Sequence, residues 1–223
     1  MCILSLSNIS SAPTSMAFPD SLCLDINEYL STLPDGDRQL YDVLSCIPES
    51  ADEPRVRRSR RGAFIKCISQ VPPYRYLARS CVPDNECDFQ PPRWHYGYKF
   101  TYEQALALNQ ENAPDDERID SLSDFQEMCD ESVDVKKERS MLGGWWLKCR
   151  AENILEFQHN AGFKSVWDRG EKAQMFGFRD SWHLGDPHTG EEVEEISQLM
   201  FGKYVEPMWY LDASHCFWYE KRK

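Results

Sequence analysis

The sequence predicts an α+β fold with a mixed or mostly antiparallel sheet, short helices and a core formed by its tryptophan-rich C-terminal half. Predicted helices and strands do not alternate strictly, which argues against a parallel, doubly wound sheet. Six of the seven tryptophans lie between Trp145 and Trp218. Large aromatic side chains bury roughly 150–250 Å² each and dominate cores and interfaces.

The N-terminal part divides into three predicted segments. Residues 1–18 are Ser-rich and unpatterned, which predicts a flexible tail. Residues 19–50 carry apolar side chains at helical spacing on both sides of a Pro-Asp-Gly break, which predicts a pair of helices. Residues 51–62 form a basic linker or loop, and residues 63–223 are predicted to form the α+β core domain.

The first half of that core domain contains two predicted strands and one well-marked helix start. Residues 63–68 are largely apolar and predict a strand, and residues 94–100 place aromatics at alternate positions of a second one. Thr101 followed by Gln104 is a capping-box pattern, which predicts a helix through Leu108.

The second half follows the same mixed pattern. Gly143-Gly144 introduces a predicted strand at 145–147, followed by a predicted helix at 151–160. Thr189 is expected to cap a helix over 191–201. Residues 204–211 and 215–219 are predicted to form a closing β-hairpin.

A short similarity links residues 162–167 and 177–182, which share Gly-Phe-(Lys/Arg)-x-x-Trp. Two copies are too few for a solenoid. A pair of strands or turns presenting similar aromatics would explain the pattern, and coincidence is the alternative.

Charge and cysteine usage limit the class of protein. A net charge of −12 argues against a nucleic-acid partner bound mainly through phosphate contacts. No apolar run is long enough to span a membrane, and the N-terminus lacks the features of a secretory signal. Nine cysteines without a Cys-x-x-Cys pair are expected to be reduced thiols. We therefore expect a cytoplasmic or nuclear protein that is not secreted.

Five arginines within seven residues form the first candidate binding segment: Arg55, Arg57, Arg58, Arg60 and Arg61. Clustered fixed charges repel one another, so the segment is expected to be solvated. It suits a nuclear-import signal or a docking patch for an acidic partner. A linker without a partner and a processing site of a secreted precursor are the alternatives.

The loop after Trp182 is the candidate site for chemistry, because His183, Asp186 and His188 lie within six residues. Imidazole and carboxylate groups are ligands of zinc and iron, so these three residues are the candidate catalytic and metal-binding set. The spacing matches no standard ligand motif. The alternative is a turn that caps the following helix, with no cofactor.

The tryptophans can form a packed core or an exposed recognition surface. Trp145 and Trp146 cannot both face inward on a strand that has one solvent-exposed side, so one of them is expected at an interface. Trp145 and Trp182 are the candidate binding aromatics. We expect a non-enzymatic module that binds a macromolecule, most simply a protein. The alternative is a metal-dependent, hydrolase-like enzyme at His183, Asp186 and His188. The oligomeric state stays open.

Overall fold

A computed structural model describes residues 22–23, 27–56, 62–115, 117–119, 135–155, 161–184 and 188–221. It confirms the predicted α+β fold, in which helices combine with mostly antiparallel sheets. The described helices are α1 (Asn27–Thr32), α2 (Asp35–Ser45), α3 (Gly62–Ile68), α4 (Tyr102–Asn112), α5 (Val135–Ile154) and α6 (Gly190–Phe201). The described strands are β1 (Leu22–Cys23), β2 (Leu77–Ala78), β3 (Phe89–Gln90), β4 (Trp94–Lys99), β5 (Gly162–Asp168), β6 (Glu171–Asp180), β7 (Met208–Asp212) and β8 (Tyr219–Glu220).

Four strands close into a small antiparallel barrel in the order β4-β6-β5-β7. Strand β4 pairs with both β6 and β7, so that His95 lies opposite Asp180 on one side and Tyr210 on the other. Because β6 and β7 both run antiparallel to β4, their C-terminal ends meet the N-terminal end of β4. We call this end of the barrel, marked by Arg93, His95, Asp180 and Asp212, the barrel mouth.

The two copies of the short sequence similarity lie on paired strands. Strands β5 and β6 are antiparallel neighbours, with Gly162 opposite Gly177 and Phe163 opposite Phe176. The copies therefore run in opposite directions and bring their glycines, rather than their tryptophans, into register.

Alternate side chains of the barrel strands pack on opposite faces, as strand geometry requires. One set forms a small cluster around Val166, Met175 and Tyr210. The other set packs against helices, with Tyr98 in one large cluster and Trp94 in a second. Since helices can cover only the outside of a closed barrel, the first set faces its interior.

The predicted helical pair is present as α1 and α2, and it packs into the same core as the barrel. Leu30, Tyr41 and Leu44 are buried in one cluster with Trp94 and Trp209. The predicted tryptophan-rich core is confirmed. Its buried tryptophans are Trp94, Trp146, Trp209 and Trp218.

The strand predicted over residues 63–68 is wrong, because this segment forms helix α3. Phe64 packs against the core and Ile68 is fully buried, whereas Lys66 and Cys67 are exposed. Positions four residues apart share one face of a helix, so the apolar pair has helical rather than strand spacing.

The strand predicted at 145–147 is also wrong, because these residues lie inside α5, a helix of 20 residues. The glycine pair that was expected to precede this strand instead lies where α5 contacts α4. A Cβ added at Gly143 would lie 2.5 Å from Cα of Leu106, and one added at Gly144 would collide with the Tyr102 ring. The glycines thus let α5 approach α4 closely. The helix predicted over 151–160 is the end of α5, and residues 156–160 lie outside the described part.

The closing hairpin is wrong in its pairing. Strand β7 belongs to the barrel, while β8 pairs with β3. The chain turns away after β7 because Oδ1 of Asp212 accepts hydrogen bonds from the backbone N–H groups of Ser214 and His215, both at 2.7 Å. Trp218 then packs in the core, and its Nε1–H donates to the carbonyl of Leu44 at 3.1 Å.

The helix caps predicted at Thr101 and Thr189 are confirmed. Thr101 and Gln104 form a complete capping box at α4, and Thr189 with Glu192 forms another at α6. Among the helices that the structure describes, none is both long and apolar enough to cross a bilayer.

Candidate functional site

The barrel mouth brings together four ionisable side chains that contact one another in two pairs. Arg93 immediately precedes β4 and His95 is its second residue, while Asp180 and Asp212 are the last residues of β6 and β7. These four residues are distant in sequence. The antiparallel pairing of β4 with both neighbours brings them together.

Asp212 accepts hydrogen bonds at both carboxylate oxygens. Nε2 of the buried His95 lies 2.7 Å from Oδ2. Oδ1 accepts from the N–H groups of Ser214 and His215 and lies 3.3 Å from Nδ1 of the His215 ring. One carboxylate therefore links a buried imidazole to an exposed one.

Asp180 repeats this arrangement on the other side of β4. Arg93 Nη2 donates to Oδ2 at 2.7 Å. Oδ1 accepts from the N–H groups of Trp182 at 2.9 Å and His183 at 3.0 Å, and His183 Nδ1 lies 3.3 Å away. Both aspartates thus begin an Asp-x-x-His turn in which the aspartate fixes the turn and faces the histidine three residues later.

The hydrogen bonds keep both carboxylates ionised. Burial acts to raise the pKa of Asp212, but the bonds from His95, His215 and Ser214 outweigh it, and this pKa is lowered. Burial also acts to raise the pKa of Asp180, but the hydrogen bond and the charge of Arg93 outweigh it, and this pKa is lowered. The pKa of His95 is lowered by burial despite its contact with Asp212. We therefore describe His95 as a neutral ring that donates its Nε2–H to Asp212.

The rim of the barrel mouth is aromatic and open to solvent. The side chains of His183 and His215 are 63% and 42% exposed. The half-buried Trp182 ring lies 5.3 Å from the His215 ring, and the guanidinium carbon of Arg93 lies 5.4 Å from the Trp182 ring centre. In each Asp-x-x-His turn Nδ1 faces the carboxylate, so Nε2 is the nitrogen left for an external group.

Lys164 reaches the same end of the barrel from β5. It lies opposite Met175, a residue of the interior cluster. A Cβ added at Gly177 would be 3.6 Å from both Lys164 Cγ and His95 Cβ, so these two side chains flank the glycine. Burial, followed by the charge of Arg93, lowers the pKa of the half-buried Lys164 amine, while Asp180 and Asp212 act to raise it.

A carboxylate that holds Nδ1 of a histidine is typical both of general bases and of metal-ligating histidines, because it fixes the ring and its tautomer. Two such histidines border the barrel mouth. Among the described residues, however, no three His, Cys, Asp or Glu side chains are grouped so that they could hold a metal ion.

The structure gives the predicted catalytic histidines different partners. His183 faces Asp180 at the rim. His188 is partly buried, its Nε2 lies 3.0 Å from the carbonyl oxygen of Phe178, and its ring packs against the Phe178 ring. Asp186 lies outside the described residues. The zinc or iron site predicted from these three residues therefore stays a prediction.

The predicted binding residues are also separated. Arg55 forms an ion pair with Glu53 at 2.7 Å and donates to the carbonyl of Ile47 at 3.1 Å. Arg57, Arg58, Arg60 and Arg61 lie outside the described residues. Trp182 is half-buried at the barrel mouth, and its Nε1–H donates a hydrogen bond to the carbonyl of Pro91 at 2.9 Å.

Trp145 stands apart from the other six tryptophans, all of which lie in the described part. It is 65% exposed, whereas the rest are buried or half-buried. Met141, one helical turn earlier on α5, is 51% exposed. We call these two residues together the Trp145 face.

The sequence analysis did not identify His95, Asp212 and His215 as candidate site residues. One signal was available, because Asp180-Ser181-Trp182-His183 and Asp212-Ala213-Ser214-His215 share the Asp-x-x-His spacing. That spacing suits an aspartate that accepts from the backbone N–H groups two and three residues later. Nothing in the sequence marks His95 as their neighbour.

Comparison with known proteins gives no relative from which a role can be transferred: no family model, no curated protein and no solved structure matches this chain.

Proposed function

We propose that this protein is a non-enzymatic protein-binding module and that the Trp145 face is its docking surface. The observation that carries the proposal is the 65% exposure of Trp145. Tryptophan is usually mostly buried, and it is enriched among the residues that dominate binding energy at protein interfaces.

The geometry of α5 supports this role. Met141 and Trp145 are four residues apart and so lie on one side of the helix. The next residue, Trp146, points into the core and donates its Nε1–H to Glu117 at 3.1 Å. Helix α5 is thereby fixed to the body by one tryptophan while it offers the other to solvent, so a partner would meet a rigid surface.

The charge of α5 favours an acidic partner segment with an apolar anchor. The helix carries five basic and two acidic residues, a net of three positive charges in a chain of net charge −12. Complementary net charge speeds association and selects partners. The basic residues are Lys136, Lys137, Arg139, Lys148 and Arg150.

We place this module in the cytoplasm or nucleus. None of the six cysteines whose side chains the structure describes forms a disulfide. Thiols without disulfide partners are typical of reducing compartments, which supports this location. Reaction of these thiols with a small reagent in intact cells, followed by mass spectrometry, would test their redox state directly.

Quantitative affinity capture tests the docking surface, with Trp145→Ala compared against the matched exposed variant Tyr204→Ala. Tyr204 is 43% exposed and distant in sequence from α5. A partner that fits the proposal is lost with Trp145→Ala, kept with Tyr204→Ala, and released by salt because its attraction is partly electrostatic. The captured protein is then titrated in purified form against each variant. Equal affinity for the wild type and Trp145→Ala would contradict the proposal.

A further inference from the structure

We infer that this protein binds a free amino acid with a large apolar side chain in a cavity beside the end of α2. The cavity has a volume of about 280 Å³, and it is lined by Ile47, by residues between β2 and β3, and by Trp218. No residue of the Trp145 face or of the barrel mouth lines it. The inference therefore does not depend on the proposed function.

Most of the residues that line the cavity are apolar. Trp218 and Pro91 are buried, whereas Val82 and Phe89 are half-buried. The Ile47 side chain is 48% exposed, although isoleucine is among the residues most often buried. An apolar group that entered the cavity would remove part of this surface from water, which is favourable.

Two opposite charges border the same cavity without pairing with each other. Arg79 and Asp84 both line it and are exposed. Within the described part of the chain, the Arg79 guanidinium group has no hydrogen-bond or ion-pair partner. Asp84 Oδ1 accepts from the backbone N–H of Glu86 at 2.9 Å, which leaves Oδ2 available. Lys221 approaches from the end of β8, and its Nζ donates to the backbone carbonyl of Asp84.

This combination of charges selects the class of ligand. A free amino acid carries an ammonium and a carboxylate group on one carbon atom. Because Arg79 and Asp84 border one small cavity, a single small ligand can offer its carboxylate to the guanidinium group and its ammonium to Asp84. A simple acid would place its carboxylate near that of Asp84, and a simple amine would place its charge near Arg79. An amino acid avoids both repulsions.

The volume of the cavity sets the size of the ligand. Ligand pockets usually have volumes of roughly 300–1,000 Å³, and this cavity of about 280 Å³ lies just below that range. It therefore suits a molecule of the size of one amino acid. The apolar lining favours one with a large apolar side chain.

Hydrogen bonds hold the lining in place before any ligand arrives. The Ser80 hydroxyl donates to the carbonyl of Ser45, the last residue of α2. The backbone N–H of Phe89 donates to Cys87 Sγ at 3.4 Å. A site that is already formed loses less conformational entropy on binding.

Isothermal titration of the full-length protein with L-phenylalanine tests the site, and we expect saturable binding of one molecule per chain. Hydrocinnamate lacks the ammonium group and phenethylamine lacks the carboxylate. Each should bind about fivefold more weakly, the upper end of what an ion pair open to water contributes. Glycine, which lacks the apolar side chain, should not bind measurably. No saturable binding of L-phenylalanine, or equal binding of all four compounds, overturns the inference.

Arg79→Met tests the carboxylate contact, because it keeps an apolar stem and removes the charge. It should weaken L-phenylalanine binding about fivefold and leave phenethylamine binding no weaker, since that compound has no carboxylate. Arg38→Met is the matched control, because Arg38 is an exposed arginine of α2 that does not line the cavity. Circular dichroism checks that both variants fold. Equal weakening of L-phenylalanine binding by the two substitutions contradicts the inference.

Cys87 provides a second measurement at the site itself. Its half-buried thiol lines the cavity, whereas Cys67 is exposed on α3 and does not line it. Saturating L-phenylalanine should slow the alkylation of Cys87 by iodoacetamide and leave the rate for Cys67 unchanged. An unchanged rate for Cys87 would mean that the amino acid binds elsewhere, which also overturns the inference.

Discussion

The imidazole of His95 and the carboxylate of Asp212 approach to 2.7 Å, across a separation of 117 residues in sequence. The pair joins β4 to the end of β7, where the chain leaves the barrel. Because His95 is buried and Asp212 is nearly so, loss of either partner would leave a polar group unsatisfied in the interior.

Replacement of Asp212 by Asn is expected to change how stability depends on pH. The folded-state pKa of Asp212 is lowered, whereas an unfolded aspartate titrates at about 3.9. The carboxylate therefore stabilises the fold above pH about 4 and loses this contribution as pH falls further. Urea unfolding at pH 7, 5 and 3 should show that the free energy of unfolding falls more steeply with decreasing pH for the wild type than for Asp212→Asn. At pH 7 the variant should be less stable by about 2 kcal/mol.

Asp180 is present in both proteins, so its contribution to the pH dependence of stability cancels when the two are compared. Parallel stability curves for the wild type and Asp212→Asn would show that the His95–Asp212 contact does not govern the acid response.

Replacement of Gly143 by Ala should destabilise the protein by about 1–3 kcal/mol, because the new methyl group meets the backbone of Leu106. This outcome opposes helix propensity, which alone would favour alanine by about 1 kcal/mol. The matched control is Gly36→Ala in α2, where a Cβ would meet nothing within 4 Å. Thermal unfolding should lower the melting temperature for Gly143→Ala and raise it slightly for Gly36→Ala. Stabilisation by both would contradict the close packing of α4 and α5.

The adjacent tryptophans of α5 should respond differently to replacement by alanine. Trp146→Ala removes a buried side chain and is expected to cost about 3–5 kcal/mol. Trp145→Ala removes a mostly exposed side chain and should change stability by no more than about 0.5 kcal/mol. Denaturant unfolding, followed by far-ultraviolet circular dichroism, measures both. A large loss for Trp145→Ala would mean that its ring stabilises the monomer.

The cysteines should react in the order of their burial. Cys46 and Cys67 are exposed, whereas Cys81 and Cys216 are buried. Burial also raises the pKa of the Cys81 thiol to about 12, which removes the reactive thiolate at neutral pH. Brief iodoacetamide labelling of the native protein should therefore modify Cys46 and Cys67 first. In urea the four rates should converge, and rapid native labelling of Cys81 would contradict its position in the core.

Local signals in the sequence were enough to predict part of this fold. The two capping boxes need only residues three positions apart, and Thr101 and Thr189 mark real helix starts. Alternating aromatics also identified β4. Gly143 and Gly144 misled the prediction because their role depends on Leu106 and Tyr102, which only the folded chain places beside them.

The candidate site was harder to predict because its residues are joined by strand pairing. Arg93 and Asp180 are 87 residues apart, and His95 and Asp212 are 117 apart. The sequence drew attention to the loop after Trp182 but not to its counterpart at His215. Only the barrel shows that the two Asp-x-x-His turns border one mouth.

The position of Trp218 has a consequence for how the protein is made. Its Nε1–H bonds to Leu44, 174 residues earlier, and its backbone N–H bonds to Arg55. During synthesis the helical pair leaves the ribosome long before this tryptophan exists. Part of the apolar surface of the N-terminal helices therefore stays exposed until Trp218 has been synthesised. Packing of the core can be completed only after translation of residue 218.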